Sequence, residues 1–304
     1  MRRHFVLLLL LTAPLPAFAD SSYTKTKYPI VLAHGLSGFD SLFGVYDYFY
    51  GVTSALTAGG ATVYVTDVPP FASSEARGEA LLQQIEYIVA ATGAKKVNLI
   101  AHSQGGLDAR YVAAVRPDLV ASVSTISSPH KGAGLADYLR AHVTSGGFTE
   151  TVLSFFANSL GGILNLLTGT SSPQDSVAAL DQLTTAGTTA FTVKYPQGVP
   201  TSRCGDGDHL VNGVAYYSWG GHSVLTNFFD PSDAYLALAS VFGGDDNDGL
   251  VAKCDMHLGR VLRDDYGWNH LDEVNQVFGL TSIFASNPTS VFRAQANRLK
   301  GAGL

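Results

Sequence analysis

The chain has 304 residues and a formal net charge of −6, and it holds no cluster of lysine and arginine on which nucleic-acid phosphates could gather. Only 14% of its residues are charged and its mean hydropathy is positive, a balance that points to an unusual amount of apolar surface and opens a lipid-facing role. No proline-rich or serine-rich linker, repeat or long charge run divides it, so one large domain over residues 20–304 is expected.

Residues 1–19 begin with Arg2 and Arg3, continue through an apolar core from Phe5 to Leu11 and end in Ala17-Phe18-Ala19, a small-x-small cleavage site. This is the pattern of a secretory signal peptide. Its apolar core is far shorter than the ~20 residues of a spanning helix, so the mature protein is expected to leave the cytoplasm.

In the mature chain, Tyr28-Pro29-Ile30-Val31-Leu32-Ala33 reads as a strand that runs out into His34-Gly35-Leu36, and Ala61 to Thr66 as a second, with a helical stretch between them. Glu79 to Ala91 has apolar residues at helical spacing (Leu82, Ile85, Val89). Val97 to His102 is an apolar run that breaks at Ser103, and Gln104-Gly105-Gly106 opens a helical pattern through Val112. Further strands are expected at Val120 to Ile126, Val211 to Trp219 and Gly249-Leu250-Val251, and a helix at Leu271 to Phe278. The alternation of strands and helices predicts an α/β fold with a mostly parallel sheet and helices on both faces, with ligands beyond the carboxyl ends of the strands.

The chemistry centres on Ser103. A serine between a buried strand and a helix is held out on a sharp turn, and such a turn tolerates only small residues two before and two after it. Ala101 and Gly105 meet that need, although Ala101 stands where glycine is usual. A serine hydroxyl needs an imidazole to take its proton, and the imidazole needs a carboxylate to fix its tautomer, in the chain order serine, acid, histidine. Of the clustered Asp245, Asp246 and Asp248, the last precedes Gly249 and the apolar Leu250-Val251 and is the expected acid; the other two read as solvated turn residues. His270, in the polar loop after Tyr266-Gly267-Trp268-Asn269, is the expected base, with His257 as the alternative. His102 is expected to point away from the site. Oxyanion donors are expected from the backbone of Gln104, after the nucleophile, and of Leu36, after the first strand. The only two cysteines, Cys204 and Cys254, lie in an exported chain and are expected to pair in a structural disulfide.

Residues 28–35, 96–100 (Lys-Val-Asn-Leu-Ile), 111–119 (Tyr-Val-Ala-Ala-Val-Arg-Pro-Asp-Leu), 247–251 (Asn-Asp-Gly-Leu-Val) and 269–280 (Asn-His-Leu-Asp-Glu-Val-Asn-Gln-Val-Phe-Gly-Leu) carry a resemblance. The chain resembles the bacterial true lipases of the Pseudomonas and Burkholderia type, secreted triacylglycerol hydrolases of the α/β-hydrolase fold. The resemblance spans essentially the whole mature chain. It implies triad roles for Ser103, Asp248 and His270 and oxyanion roles for the Leu36 and Gln104 amides. The family often has methionine and histidine at the last two positions, so the departures bear on acyl preference and not on backbone donation. The resemblance also implies one structural Ca²⁺, held by the Asp230 and Asp272 carboxylates with the Gln276 and Leu280 carbonyls. Without it, Asp230-Pro231-Ser232-Asp233 reads as a helix-capping turn. It implies the same cysteine pairing and, as a partner, a membrane-anchored periplasmic foldase.

Phe148 to Leu167 is almost uncharged and is bracketed by Gly146-Gly147 and Thr168-Gly169. It reads either as a core helix or as a helical lid over about 146–169 that opens onto oil. The leading expectation is therefore a secreted, monomeric triacylglycerol lipase acting at an oil–water interface. A carboxylesterase or phospholipase with the same triad is the second reading, and a non-catalytic lipid-binding relative the third.

Overall fold

The computed structural model describes residues 21–36, 38, 41–42, 46–142, 176–244 and 246–304. The expected leader at 1–19, the expected lid at 146–169 and Asp245 lie outside the described residues. No helix among the described residues is long and apolar enough to cross a membrane.

The strands form where apolar runs are bounded by turns. Strand β1 (Ile30–Ala33) is buried throughout, and its residues alternate between two cores. Ile30 and Leu32 face one side, with Leu56 of helix α1 (Val52–Thr57) and Phe292 of the C-terminal helix Pro288–Gly301. Val31 and Ala33 face the other, with Leu81 and Ile85 of α2 (Ser74–Thr92) and Val112 of α3 (Gln104–Val115). A short hairpin, β2 (Ser41–Leu42) with β3 (Tyr46–Asp47), follows β1.

The main sheet has the order β4-β1-β5-β6-β8-β7, with β9 also on β8, where β4 is Val63–Thr66, β5 Val97–His102, β6 Val120–Ile126, β7 Leu210–Val211, β8 Val214–Gly221 and β9 Arg260–Tyr266. Every pairing is parallel except that of β7. Helices Gly134–His142, Ser176–Leu183, Thr185–Lys194 and Pro231–Ser240 stand beyond its carboxyl ends and build a third apolar cluster around Leu107.

Three expectations are corrected. Val211 to Trp219 is not one strand: Asn212 and Gly213, both at positive φ, fold Leu210–Val211 back antiparallel onto β8. Gly249-Leu250-Val251 is a turn, because the Leu250 and Val251 amides donate to the Asp248 carboxylate and leave no ladder to join. Leu271 to Phe278 is a short 3₁₀ turn, Asp272–Val274, ended by left-handed Asn275 (φ 60°) and Phe278 (φ 49°), which no α-helix accommodates. Strand β9 and the C-terminal helix have no counterpart in the sequence reading.

Cys204 and Cys254 are joined in a disulfide across 50 residues. Closing a loop of that length contributes about 4 kcal/mol in the chain-entropy account. Cys254 lies six positions beyond Asp248, so the bond anchors the segment that presents that carboxylate.

Candidate active site

Ser103 lies between β5 and α3 with φ 55° and ψ −130°, a conformation that side chains other than glycine rarely adopt. The turn is held by the Ser103 amide, which donates to the Ile126 carbonyl at 2.9 Å. The small neighbours are required: a Cβ on Gly105 would lie 2.5 Å from the His34 carbonyl oxygen. The elbow strand, the serine and the helix stand where the sequence places them.

Asp248 sits at the tip of a closed loop. The Lys253 amide donates to the Asp246 carbonyl at 3.0 Å, Asn247 bridges to Ala252, and the Asp248 amide donates to the Val251 carbonyl at 3.2 Å. Its Oδ1 accepts from the Leu250 and Val251 amides at 2.9 and 2.7 Å, which leaves Oδ2 for His270. His270 follows β9 in a loop fixed by the fully buried Asn269, whose Oδ1 accepts from the Leu271 and Asp272 amides and whose Nδ2 donates to Asp233. The His270 amide donates to the Asp248 carbonyl at 2.9 Å, so backbone and side chain fix the pair together.

These three loops bring Ser103, His270 and Asp248 into one hydrogen-bonded chain. Ser103 Oγ is 3.0 Å from His270 Nε2, and His270 Nδ1 is 2.7 Å from Asp248 Oδ2. Asp248 is fully buried and His270 nearly so. His257, the alternative base, is elsewhere: its Nε2 pairs with Asp264 at 3.0 Å and its Nδ1 accepts from the Gly205 amide beside the disulfide.

The chain of bonds opens on an apolar cavity whose walls include Leu36, Leu135, Leu139, Leu183 and Leu250. Leu36 borders it as expected. Gln104 does not: its side chain turns away to the Ala72 carbonyl at 2.8 Å, and only its backbone, at the first position of α3 where an amide has no intrahelical acceptor, remains at the site. The loop carrying Leu36 is gripped by Arg77, a fully buried arginine whose Nη2 donates to the His34 and Gly35 carbonyls at 2.7 and 3.2 Å, while Nε pairs with the buried Asp108 of α3 at 2.7 Å. Burial pushes the Asp108 carboxyl up to about 6, and the guanidinium opposes that rise. Sequence reasoning missed this pair; a charged residue on each of two helices with apolar faces is its only signal.

Gly35 is as constrained as Gly105. A Cβ there would stand 2.7 Å from Ser103 Cβ and 3.2 Å from Ser103 Oγ. Gly35→Ala is expected to lower kcat/KM on a soluble ester by about 100-fold through displacement of the loop from the serine. A fall of less than threefold would show that the loop yields.

His102 corrects the sequence reading. Its ring does not turn away from the site but lies beside the His270 ring, with centroids 4.5 Å apart. Among the described residues, His102, His270 and Glu273 form the one group of three potential ligands with atoms within 4.8 Å of one another. Two imidazoles, one of them engaged at both nitrogens, do not suit an oxygen-seeking cation such as Ca²⁺. Of the residues named for calcium, Asp272, Gln276 and Leu280 follow His270 in the chain, while Asp230 precedes helix Pro231–Ser240. Asp230 and Asp272 are both buried; burial raises both carboxyls, that of Asp272 to about 7, and Asp230 Oδ2 has no hydrogen-bond partner. Asp230 also caps helix Pro231–Ser240 through Oδ1, so the capping-turn reading holds as well.

A nucleophile elbow after a central strand of a mostly parallel sheet, with the partner acid and histidine supplied by later loops at the same edge, is the arrangement of the α/β hydrolases. A family model of the α/β-hydrolase fold matches residues 28–256. A triacylglycerol lipase of Vibrio cholerae serotype O1 is 52% identical over 95% of this chain and 92% of its own length, and one of Pseudomonas fragi is 43% identical over 92% and 98%. A solved Bacillus licheniformis lipase in its mature form matches with a TM-score of 0.63 over 90% of this chain and 93% of its own, at 20% identity, which speaks to the fold alone. The chain belongs to the bacterial triacylglycerol lipases of the α/β-hydrolase family.

Proposed function

We propose that this chain hydrolyses the carboxylic esters of long-chain acylglycerols through an acyl-enzyme on Ser103. The observation that carries the reading is the unbroken chain Ser103–His270–Asp248 at the floor of a cavity walled by leucines. His270 Nε2 takes the Ser103 proton as Oγ bonds to the ester carbonyl carbon, and the carbonyl electron pair moves onto oxygen. The Leu36 and Gln104 amides face that oxyanion, and Asp248 holds Nδ1–H and balances the imidazolium. Collapse breaks the bond to the leaving alcohol, which takes the proton from His270. Water, deprotonated by His270, then releases the fatty acid and restores Ser103. The leucine walls favour an alkyl acyl chain.

Rates on triglycerides of increasing acyl length, set against a soluble short-chain ester, test the substrate class. Emulsified long-chain triglyceride is expected to be turned over at a rate at least comparable to that of the soluble ester. Activity confined to the soluble ester would make the chain a carboxylesterase.

The donor set fits a structural Ca²⁺. The Asp230 and Asp272 carboxylates are buried, one has an unpartnered oxygen, no cation among the described residues is paired to either, and hard oxygen ligands suit this ion. Asp230 and Asp272, with the Gln276 and Leu280 carbonyls, would hold it, and when bound it would neutralise those carboxylates and stiffen the loop that carries His270. The leader pattern at 1–19 supports export of a single catalytic domain over 20–304, and the family resemblance supports a periplasmic foldase as partner and a monomeric enzyme.

A further inference from the structure

No motif marks Tyr48, yet its hydroxyl touches both halves of the site. Tyr48 is 4% exposed. Its Oη accepts from the Gly35 amide at 3.1 Å and lies 2.7 Å from His102 Nδ1. Gly35 immediately precedes Leu36, the expected oxyanion donor, and His102 immediately precedes Ser103. One hydroxyl thus bridges the oxyanion loop and the end of the nucleophile strand.

The phenol oxygen accepts from the Gly35 amide and shares a single proton with His102 Nδ1, with the tautomer of the ring setting which of the two donates. His102 Nε2 faces Glu273 Oε2 at 3.7 Å. Burial first, and the neighbouring His270 second, hold the His102 pKa well below its ordinary value, so the ring is neutral and has one nitrogen free to accept. The His34–Gly35 peptide is therefore gripped on both edges, its carbonyl by Arg77 and its amide by Tyr48.

We propose that Tyr48 is a positioning residue for ester hydrolysis: its hydroxyl orients the Gly35 peptide, and through it the Leu36 amide, and at the same time fixes the His102 ring against His270. The inference rests on the Ser103 acyl-enzyme reading. It assigns Tyr48 no bond to the substrate, although the ring also borders the cavity.

The test uses the full-length enzyme and a soluble p-nitrophenyl ester. Tyr48→Phe is expected to lower kcat about tenfold or more with KM unchanged within twofold. Affinity for an alkylboronic acid, whose tetrahedral adduct places an oxygen in the same hole, should fall by the same factor. The loss should not depend on the leaving alcohol. His102→Leu should reproduce it, and His102→Asn, which keeps an acceptor near the Nδ1 position, should restore most of kcat. Tyr48→Phe combined with His102→Leu should cost no more than either alone.

An unchanged kcat in Tyr48→Phe overturns the proposal. So does a loss that appears in KM or varies with the leaving alcohol, since either marks direct substrate contact, and so does a loss that parallels a fall in Tm. Failure of an organophosphonate to label Ser103 in the unaltered enzyme removes the acyl-enzyme reading and this inference with it. Normal labelling with an unaffected Tyr48→Phe removes only the positioning role.

Discussion

Ser103→Ala is expected to abolish ester hydrolysis, lowering kcat by about 10⁶-fold, and to end covalent labelling by an organophosphonate. The fall is large because the serine and its base act as one unit, so removal of the nucleophile idles His270 and Asp248 as well. Ser103→Gly should be equally inactive but more stable. At φ 55° and ψ −130° the serine occupies a region open to glycine at no steric cost, and relief of about 1 kcal/mol should raise Tm by about 2–4 °C. Calorimetry and a phosphonate-labelling gel read both outcomes. Residual turnover within tenfold of the unaltered enzyme would place the nucleophile elsewhere.

The second large effect concerns Asp272 and depends on pH. Burial, helped by the carboxylates of Asp230 and Asp233, raises its pKa to about 7, above the value of about 3.9 for an unfolded chain. A carboxyl raised on folding favours the native state while protonated, and that contribution is lost as pH rises through the folded value. The metal-free protein should therefore weaken between about pH 4 and pH 7 and be least favoured above. Ca²⁺, if held there, would reverse the sign, because it would stabilise the ionised pair. Adding a chelator at pH 8 is expected to lower Tm by about 5–10 °C, the span given by a site saturated to roughly 100 Kd, and at pH 5 by much less. Asp272→Asn should abolish the response to chelator and, in the metal-free state, recover stability at pH 8. A Tm indifferent to chelation at both pH values would remove the ion.

Much of the site is legible in the sequence because its signals are local. The step from apolar Val97–Ile100 to Ser103 and then to Gly105-Gly106 compels a strand, a tight turn and a helix, and the distances about Ser103 follow from that geometry. Asp248 is legible through its glycine neighbour, but the same residue misleads about Leu250-Val251, whose apolar pattern suggests a strand while the Asp248 carboxylate captures both amides. Strand β9 escapes notice because it carries Arg260, Arg263, Asp264 and Asp265, charges that suit the rim of a sheet and erase the apolar signature. The histidine before the nucleophile is misread for a different reason. Its contacts come from Tyr48, 54 residues upstream, and from His270, 168 residues downstream, and spacing along the chain carries no trace of either.

The placement of Ser103 after β5 and of His270 after β9, 167 residues apart in sequence, has a consequence for how competence is acquired. Strands β5, β6, β8 and β9 must be in place side by side before imidazole and hydroxyl meet, and contacts of such long sequence separation are entropically slow to form. Catalysis is thus among the last properties to emerge during maturation, and a turnover assay on a refolding sample counts only finished molecules, never partly assembled ones.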